Sequence, residues 1–176
     1  GNTFITSNDE HIHYKEDVYF EILEPQTLRY TFKARPAQSF GVPFKEHLEK
    51  VPLIVVEPSD ACATLMTNRY ELVSNVGLVE RGGCSFLSKC IQAQNSGLVA
   101  VIVYDNKESS DEYVDMIDDN TKRNCTIPAV YILGRDGYMI RRHLIAEQLK
   151  SAIINIPINE TMIPLSKRRN PPWNLI

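Results

Sequence analysis

The stretch from Val76 to Tyr104 constrains the fold more than any other part of the chain. Val76-Gly-Leu-Val-Glu80 is a short apolar run, Phe86 to Asn95 carries a helical pattern, and Val99-Ala-Val-Ile-Val-Tyr104 is a second apolar run. Ser85 stands where a helix N-cap belongs, and Gly97 where a helix stops. Two strands joined through one helix run parallel with a right-handed crossover, and strands apolar along their whole length belong to a sheet covered on both faces. This segment predicts an α/β fold whose central sheet is at least partly parallel.

The flanks supply the other elements. Val18 to Leu23, a Glu-Pro-Gln-Thr turn, and Leu28 to Ala34, with Leu28, Tyr30, Phe32 and Ala34 alternating with polar residues, predict an antiparallel hairpin with one wet face. Pro36, Gly41, Pro43 and Pro52 make 35–52 mainly loop, before a short buried strand from Leu53 to Glu57 that Pro58 ends. Asp105 to Asn124 is acidic and reads as an exposed excursion with one helical turn near Tyr113 to Ile117; lacking glycine, it does not match a calcium loop. Then come a strand from Ile127 to Leu133, a Gly134-Arg-Asp-Gly137 turn, a helix from Tyr138 to Lys150 capped by Asp136, and a strand from Ala152 to Ile158. Ile140, Leu144, Ile145 and Leu149 form one helical stripe, for which the core is the expected destination.

A chain of 176 residues suits one hydrophobic core, here divided into an N-terminal arm (1–16), one domain (17–160) and a C-terminal tail (161–176). A net charge of −3 offers no basic field for a polyanion, so nucleic acid is not an expected partner. The longest apolar run, Leu98 to Tyr104, is strand-sized, and no stretch approaches the roughly 18 residues of a membrane span. His11 and His13 in the arm lack fixed third and fourth ligands and are read as solvated, so neither metal nor cofactor is expected. Lys167-Arg168-Arg169 reads as a solvated segment or a processing site, and Trp173 either anchors the tail or serves a partner.

Cys62, Cys84, Cys90 and Cys125 form an even set with no CxxC pair and no zinc spacing, which suits two disulfides in any of three pairings. Asn124-Cys-Thr and Asn159-Glu-Thr are N-glycosylation sequons. Together these features predict a secreted glycoprotein whose signal peptide has been removed, with Asn159 the more accessible acceptor.

The run Gly77-Leu-Val-Glu-Arg-Gly-Gly-Cys-Ser-Phe-Leu-Ser-Lys-Cys90 resembles the signature of the protease-associated (PA) domain family, a strand running into Arg-Gly-x-Cys-x-Phe and then a helix with a lysine. Gly97 to Asn106 and Ile127 to Ile132 are similar to the family's next two blocks, in order, and the resemblance spans residues from about Asp17 to the C-terminus. It implies a three-layer β/β/α fold with a partly parallel central sheet, an antiparallel hairpin and two main helices. It also implies a module without a catalytic centre that binds proteins or peptides, and a Cys62–Cys84 bridge. Cys90 departs from the family, which often has an apolar helix residue there; with Cys125 it suggests an added bridge.

Two chemical readings compete at Arg81-Gly82-Gly83-Cys84-Ser85. A hydrolase using Cys84 or Ser85 would need G-x-S-x-G geometry and a histidine alongside, yet the second glycine is missing and only His47 and His143 lie outside the arm. The other reading is an anion-friendly loop at a helix N-terminus, where Arg81 attracts a partner's carboxylate. The resemblance points the same way, because the corresponding loop of vacuolar sorting receptors takes part in cargo recognition. The expected contact surface is Arg81, Gly82 and Gly83 with Phe86 and the Arg135-Asp136 turn; alternatively, Arg81 only orders the loop through a local salt bridge.

Overall fold

The computed structural model describes residues 15–159 and 169–174. Most of the expected arm, with His11 and His13, lies outside the described residues, as do Lys167 and Arg168. The elements run β1 (Val18–Glu24), β2 (Thr31–Pro36), β3 (Leu48–Val55), β4 (Val76–Glu80), α1 (Phe86–Asn95), β5 (Ala100–Tyr104), β6 (Ala129–Ile132), α2 (Gly134–Ala146) and β7 (Ser151–Ile158). Strands β3, β4, β5 and β6 are parallel neighbours, and β1 and β2 form the antiparallel hairpin.

The expected three layers are replaced by one closed barrel in the order β1-β2-β6-β5-β4-β3-β7. The reason is β7, whose Ile154 lies opposite Ile22 of β1 on one side and Val51 of β3 on the other, so the two sheets become continuous. Closure removes both sheet edges and with them the unpaired backbone that invites aggregation. Phe20, Ile22, Leu53, Leu78, Ile102 and Ile154, all fully buried, fill one core, in which Phe20 stacks on Phe32 at 5.1 Å. Each such side chain stabilises the fold by about 2 kcal/mol relative to exposure. Val79, Val101, Val103 and Tyr131 point the other way and are covered by Leu87, Cys90 and Ala93 of α1. This two-sided burial is why β5, and β4 up to its terminal Glu80, are apolar.

Helix α2 starts earlier than its sequence suggests. Gly134 and Gly137 belong to its first turns because the helix lies almost against the strand ends: a Cβ on Gly137 would sit 2.2 Å from Cβ and Cγ of Tyr104. The helix also ends sooner, at Ala146, and its stripe divides. Ile140 and Leu144 are buried, whereas Ile145 (67%) and Leu149 (42%) stay exposed. The acidic segment is no free excursion and contains no helical turn at 113–117. Met116 is buried in the second core and Gln38 N–H donates to its carbonyl at 2.9 Å, which ties the segment down beside β2.

The tail returns to the barrel. Thr31 N–H donates to Arg169 O at 2.8 Å, and the Trp173 ring meets Tyr30 edge-on at 5.6 Å. Trp173 Nε1 and Asn174 Nδ2 each donate to Asp136 Oδ1 at 2.7 Å, while Arg135 Nη1 donates to Trp173 O at 3.1 Å. Trp173 therefore anchors the tail. Asp136, only 2% exposed, is its acceptor and not a helix cap, which falls instead to Leu133. Burial pushes the Asp136 carboxyl above its ordinary value, and the bonds from Trp173 and Asn174 oppose that rise.

Candidate functional site

Because β4, β5 and β6 run parallel, their carboxyl ends and the loops that leave them lie on one side of the barrel. Arg81 N–H donates to Tyr104 O at 2.9 Å and so prolongs the β4–β5 ladder by one residue. Its guanidinium stands 3.6 Å from Asp105 and 5.5 Å above the Phe86 ring, whose partner is Tyr131, edge-on at 6.3 Å. The local salt bridge is thus formed, yet the Arg81 side chain remains 39% exposed. Burial disfavours ionisation of Asp105, but hydrogen bonding led by Ser110, together with the Arg81 charge, holds its carboxyl below the ordinary value.

Gly82 and Gly83 turn the chain with φ of +109° and +81°, a region costly for side-chain-bearing residues. Gly83 is also required by proximity, because a Cβ there would meet Asp60 Oδ2 at 2.6 Å and Cys62 Sγ at 3.1 Å. Cys62 and Cys84 are bridged, as are Cys90 and Cys125, with Cα separations of 5.8 and 6.0 Å. Beneath the turn lies Lys89, completely buried. Its Nζ donates to Asp60 O at 2.8 Å and to Gly82 O, and stands 3.7 Å from Cys62 Sγ. Burial pulls its amine down to about 8, with the charges of Asp60 and Glu80 acting in the opposite sense.

Ser85 caps α1 by accepting from Ser88 N–H at 3.0 Å, and its hydroxyl donates to Asp119 Oδ2 at 2.6 Å. Arg123 completes this cluster with a 2.8 Å bond to the same oxygen. The Ser85 bond, with those from Thr121 and Arg123, holds the Asp119 carboxyl far below the usual carboxylate range. The anion favoured at this helix end is therefore already supplied by the chain itself. On the other flank, Glu80 accepts from Ser59 Oγ at 3.0 Å and Tyr138 OH at 2.6 Å, and pairs with Arg141 at 3.4 Å.

Arg81, Gly82, Gly83 and Phe86 thus share one surface, while Arg135 and Asp136 are occupied with the tail. His47 Nδ1 bonds Pro157 O and His143 Nδ1 bonds Met139 O. Among the described residues no group of three His, Cys, Asp or Glu could hold a metal, and no helix is long and apolar enough to cross a membrane. Sequence reasoning overlooked the roles of Lys89 and Asp119. Lys89 had a signal: with Phe86, Cys90 and Ala93 it occupies the i, i+3, i+4, i+7 stripe of an inward helix face, where a lysine is out of place. Asp119, far along the chain, had none.

A family model described as the PA domain matches residues 49–140, and the chain belongs to this family. It is 44% identical over 160 residues to a PRADC1-like protein of Drosophila melanogaster, covering 89% of this chain and 81% of that protein. It is 34% identical over 99 residues to receptor homology region, transmembrane domain- and RING domain-containing protein 1 of Arabidopsis thaliana, covering 52% of this chain but 30% of that one. With the human ER degradation-enhancing alpha-mannosidase-like protein 3 the identity is 28% over 118 residues, 64% of this chain and 12% of that protein. Among solved structures, an aminopeptidase from Aneurinibacillus sp. strain AM-1 superposes with a TM-score of 0.59 at 17% identity, covering 82% of this chain and 31% of that one. That likeness bears on the fold alone.

Proposed function

We propose that this chain is a secreted, non-catalytic PA domain that binds a protein or peptide partner through the Arg81-Gly82-Gly83 loop and Phe86. One observation carries the reading: an arginine fixed over Phe86 and beside Asp105 is pre-organised yet keeps 39% of its side chain in solvent. Around it the backbone turn and the Asp119–Arg123 pair make a mixed-sign rim suited to an extended peptide. The atoms a hydrolase would need have other roles, since Cys84 is bridged and the Ser85 hydroxyl caps α1 and serves Asp119.

The test uses random peptides with free or amidated C-termini, immobilised and probed with the folded protein. Retention of the carboxylate set is expected, with binding weakened about tenfold or more by Arg81→Ala at a stability cost of about 1 kcal/mol, since Asp105 keeps its other partners. Normal binding by Arg81→Ala, alongside loss through a change on the opposite face, sinks the proposal.

The compartment is inferred from the two disulfides and from exposed Asn124 and Asn159, of which Asn159 is the stronger N-glycan acceptor. Protein secreted from eukaryotic cells is expected to lose mass when treated with an N-glycan amidase. An unshifted mass with unmodified Asn159 contradicts passage through the secretory pathway. A luminal sorting or chaperone-like adaptor is a second form of the same binding role. It is favoured by relatives whose names carry a transmembrane and RING domain or ER degradation.

A further inference from the structure

The two bridges sit in unlike surroundings. Cys90 and Cys125 are both fully buried, so a reductant cannot reach their sulfurs without opening the second core. Cys62 and Cys84 are only partly buried, under a turn whose Gly83 is exposed. Beside them lies the ammonium of Lys89, 3.7 Å from Cys62 Sγ and shielded from solvent. A buried lysine needs partners, and the chain provides two carbonyls and this sulfur.

We propose that Cys62–Cys84 is a thiol–disulfide exchange site that a dithiol reductant opens selectively, with Cys62 departing as a thiolate held by Lys89. One thiolate of the reductant attacks Cys84 Sγ, the Cys62–Cys84 bond breaks, and its electron pair leaves on Cys62 beside the Lys89 charge. The reductant's second thiol, as thiolate, attacks the mixed disulfide. Cys84 departs with the electron pair and takes up a proton, and the reductant ends as its own disulfide. The better a leaving sulfur holds negative charge, the faster it leaves. Asp60, whose carboxylate accepts from Cys62 N–H at 3.0 Å, and Glu80 oppose a thiolate there. Lys89 prevails because its charge touches the sulfur directly in a desolvated pocket, whereas Asp60 is partly solvated. Opening the bridge frees the Gly82-Gly83 turn from the segment that follows β3. The exchange chemistry goes beyond the binding role and does not depend on it.

The intact protein, held in graded dithiothreitol buffers and quenched with iodoacetamide, is expected to show Cys62 and Cys84 alkylated at poises where Cys90 and Cys125 remain bridged. Lys89→Met slows this opening at pH 7 at least tenfold, and Lys89→Arg restores most of the rate. Because a change at a buried lysine can cost folding, a second measurement stands apart from it. In Cys84→Ser, the rate of Cys62 alkylation against pH has its midpoint below the ordinary thiol value of about 8.5. Simultaneous opening of both bridges, prior opening of Cys90–Cys125, or a Cys62 midpoint at or above the ordinary value overturns the proposal.

Discussion

Gly137→Ala is expected to abolish the fold or to destabilise it by at least about 4 kcal/mol, a large share of what holds an ordinary domain together. The added methyl would lie 2.2 Å from both Cβ and Cγ of Tyr104, atoms next to the backbone of β5 that cannot swing aside as a side-chain tip would. Tyr104 is fully buried, and its hydroxyl accepts from Arg141 Nη1 at 3.0 Å, so the ring has no second place to go. Relief requires α2 to lift from the barrel, which uncovers Ile140 and Leu144 and pulls Asp136 from Trp173. Urea unfolding followed by far-UV circular dichroism measures the change. A loss under about 1 kcal/mol would mean that the helix does not lie this close to the strand.

Replacing Cys90 and Cys125 together with alanine carries the second large effect. The bridge joins residues 35 apart in sequence, and on the chain-entropy account its loss costs about 4 kcal/mol through the greater freedom of the unfolded chain. Two fully buried sulfurs also disappear, so the packing of α1 on Val101 and Val103 loosens as well. For a domain of this size the melting temperature should fall by about 8–15 °C. A fall of less than about 3 °C would show that the acidic segment and α1 hold together without the covalent link.

The β4–α1–β5 unit was legible because its signals are local: two apolar runs, a serine cap and a glycine stop, with the helix bounds at Phe86 and Asn95 as expected. Barrel closure was not, since it depends on β7 meeting β1 and β3, and nothing in the alternation of Ile154 and Ile156 names those partners. Gly134 and Gly137 misled for a definite reason. Glycine serves turns and close approaches alike, and only the approach of Gly137 to Tyr104 and of Gly134 to the carbonyls of Asp105 and Lys107 decides between them. Arg81 and Phe86 could be paired from their spacing about the turn, whereas the burial of Met116 in an acidic segment and the docking of Asp119 on Ser85 rest on contacts between distant residues. The family model itself stops at residues 49–140, which omits β1, β2 and β7, the strands that complete the barrel.

The seam between β1 and β7 has an architectural consequence. Tyr19 lies opposite Ile158, so the first and last strands of the barrel are neighbours, and the chain enters and leaves the barrel itself, without the tail that docks near Thr31, one strand spacing apart, about 5 Å. A host protein could carry such a unit inside one of its surface loops with little disturbance to its own fold, because the graft spans a gap no wider than a hairpin's and adds little loop-closure entropy. The same geometry would let the unit be excised and the host loop rejoined, which makes it portable between unrelated scaffolds.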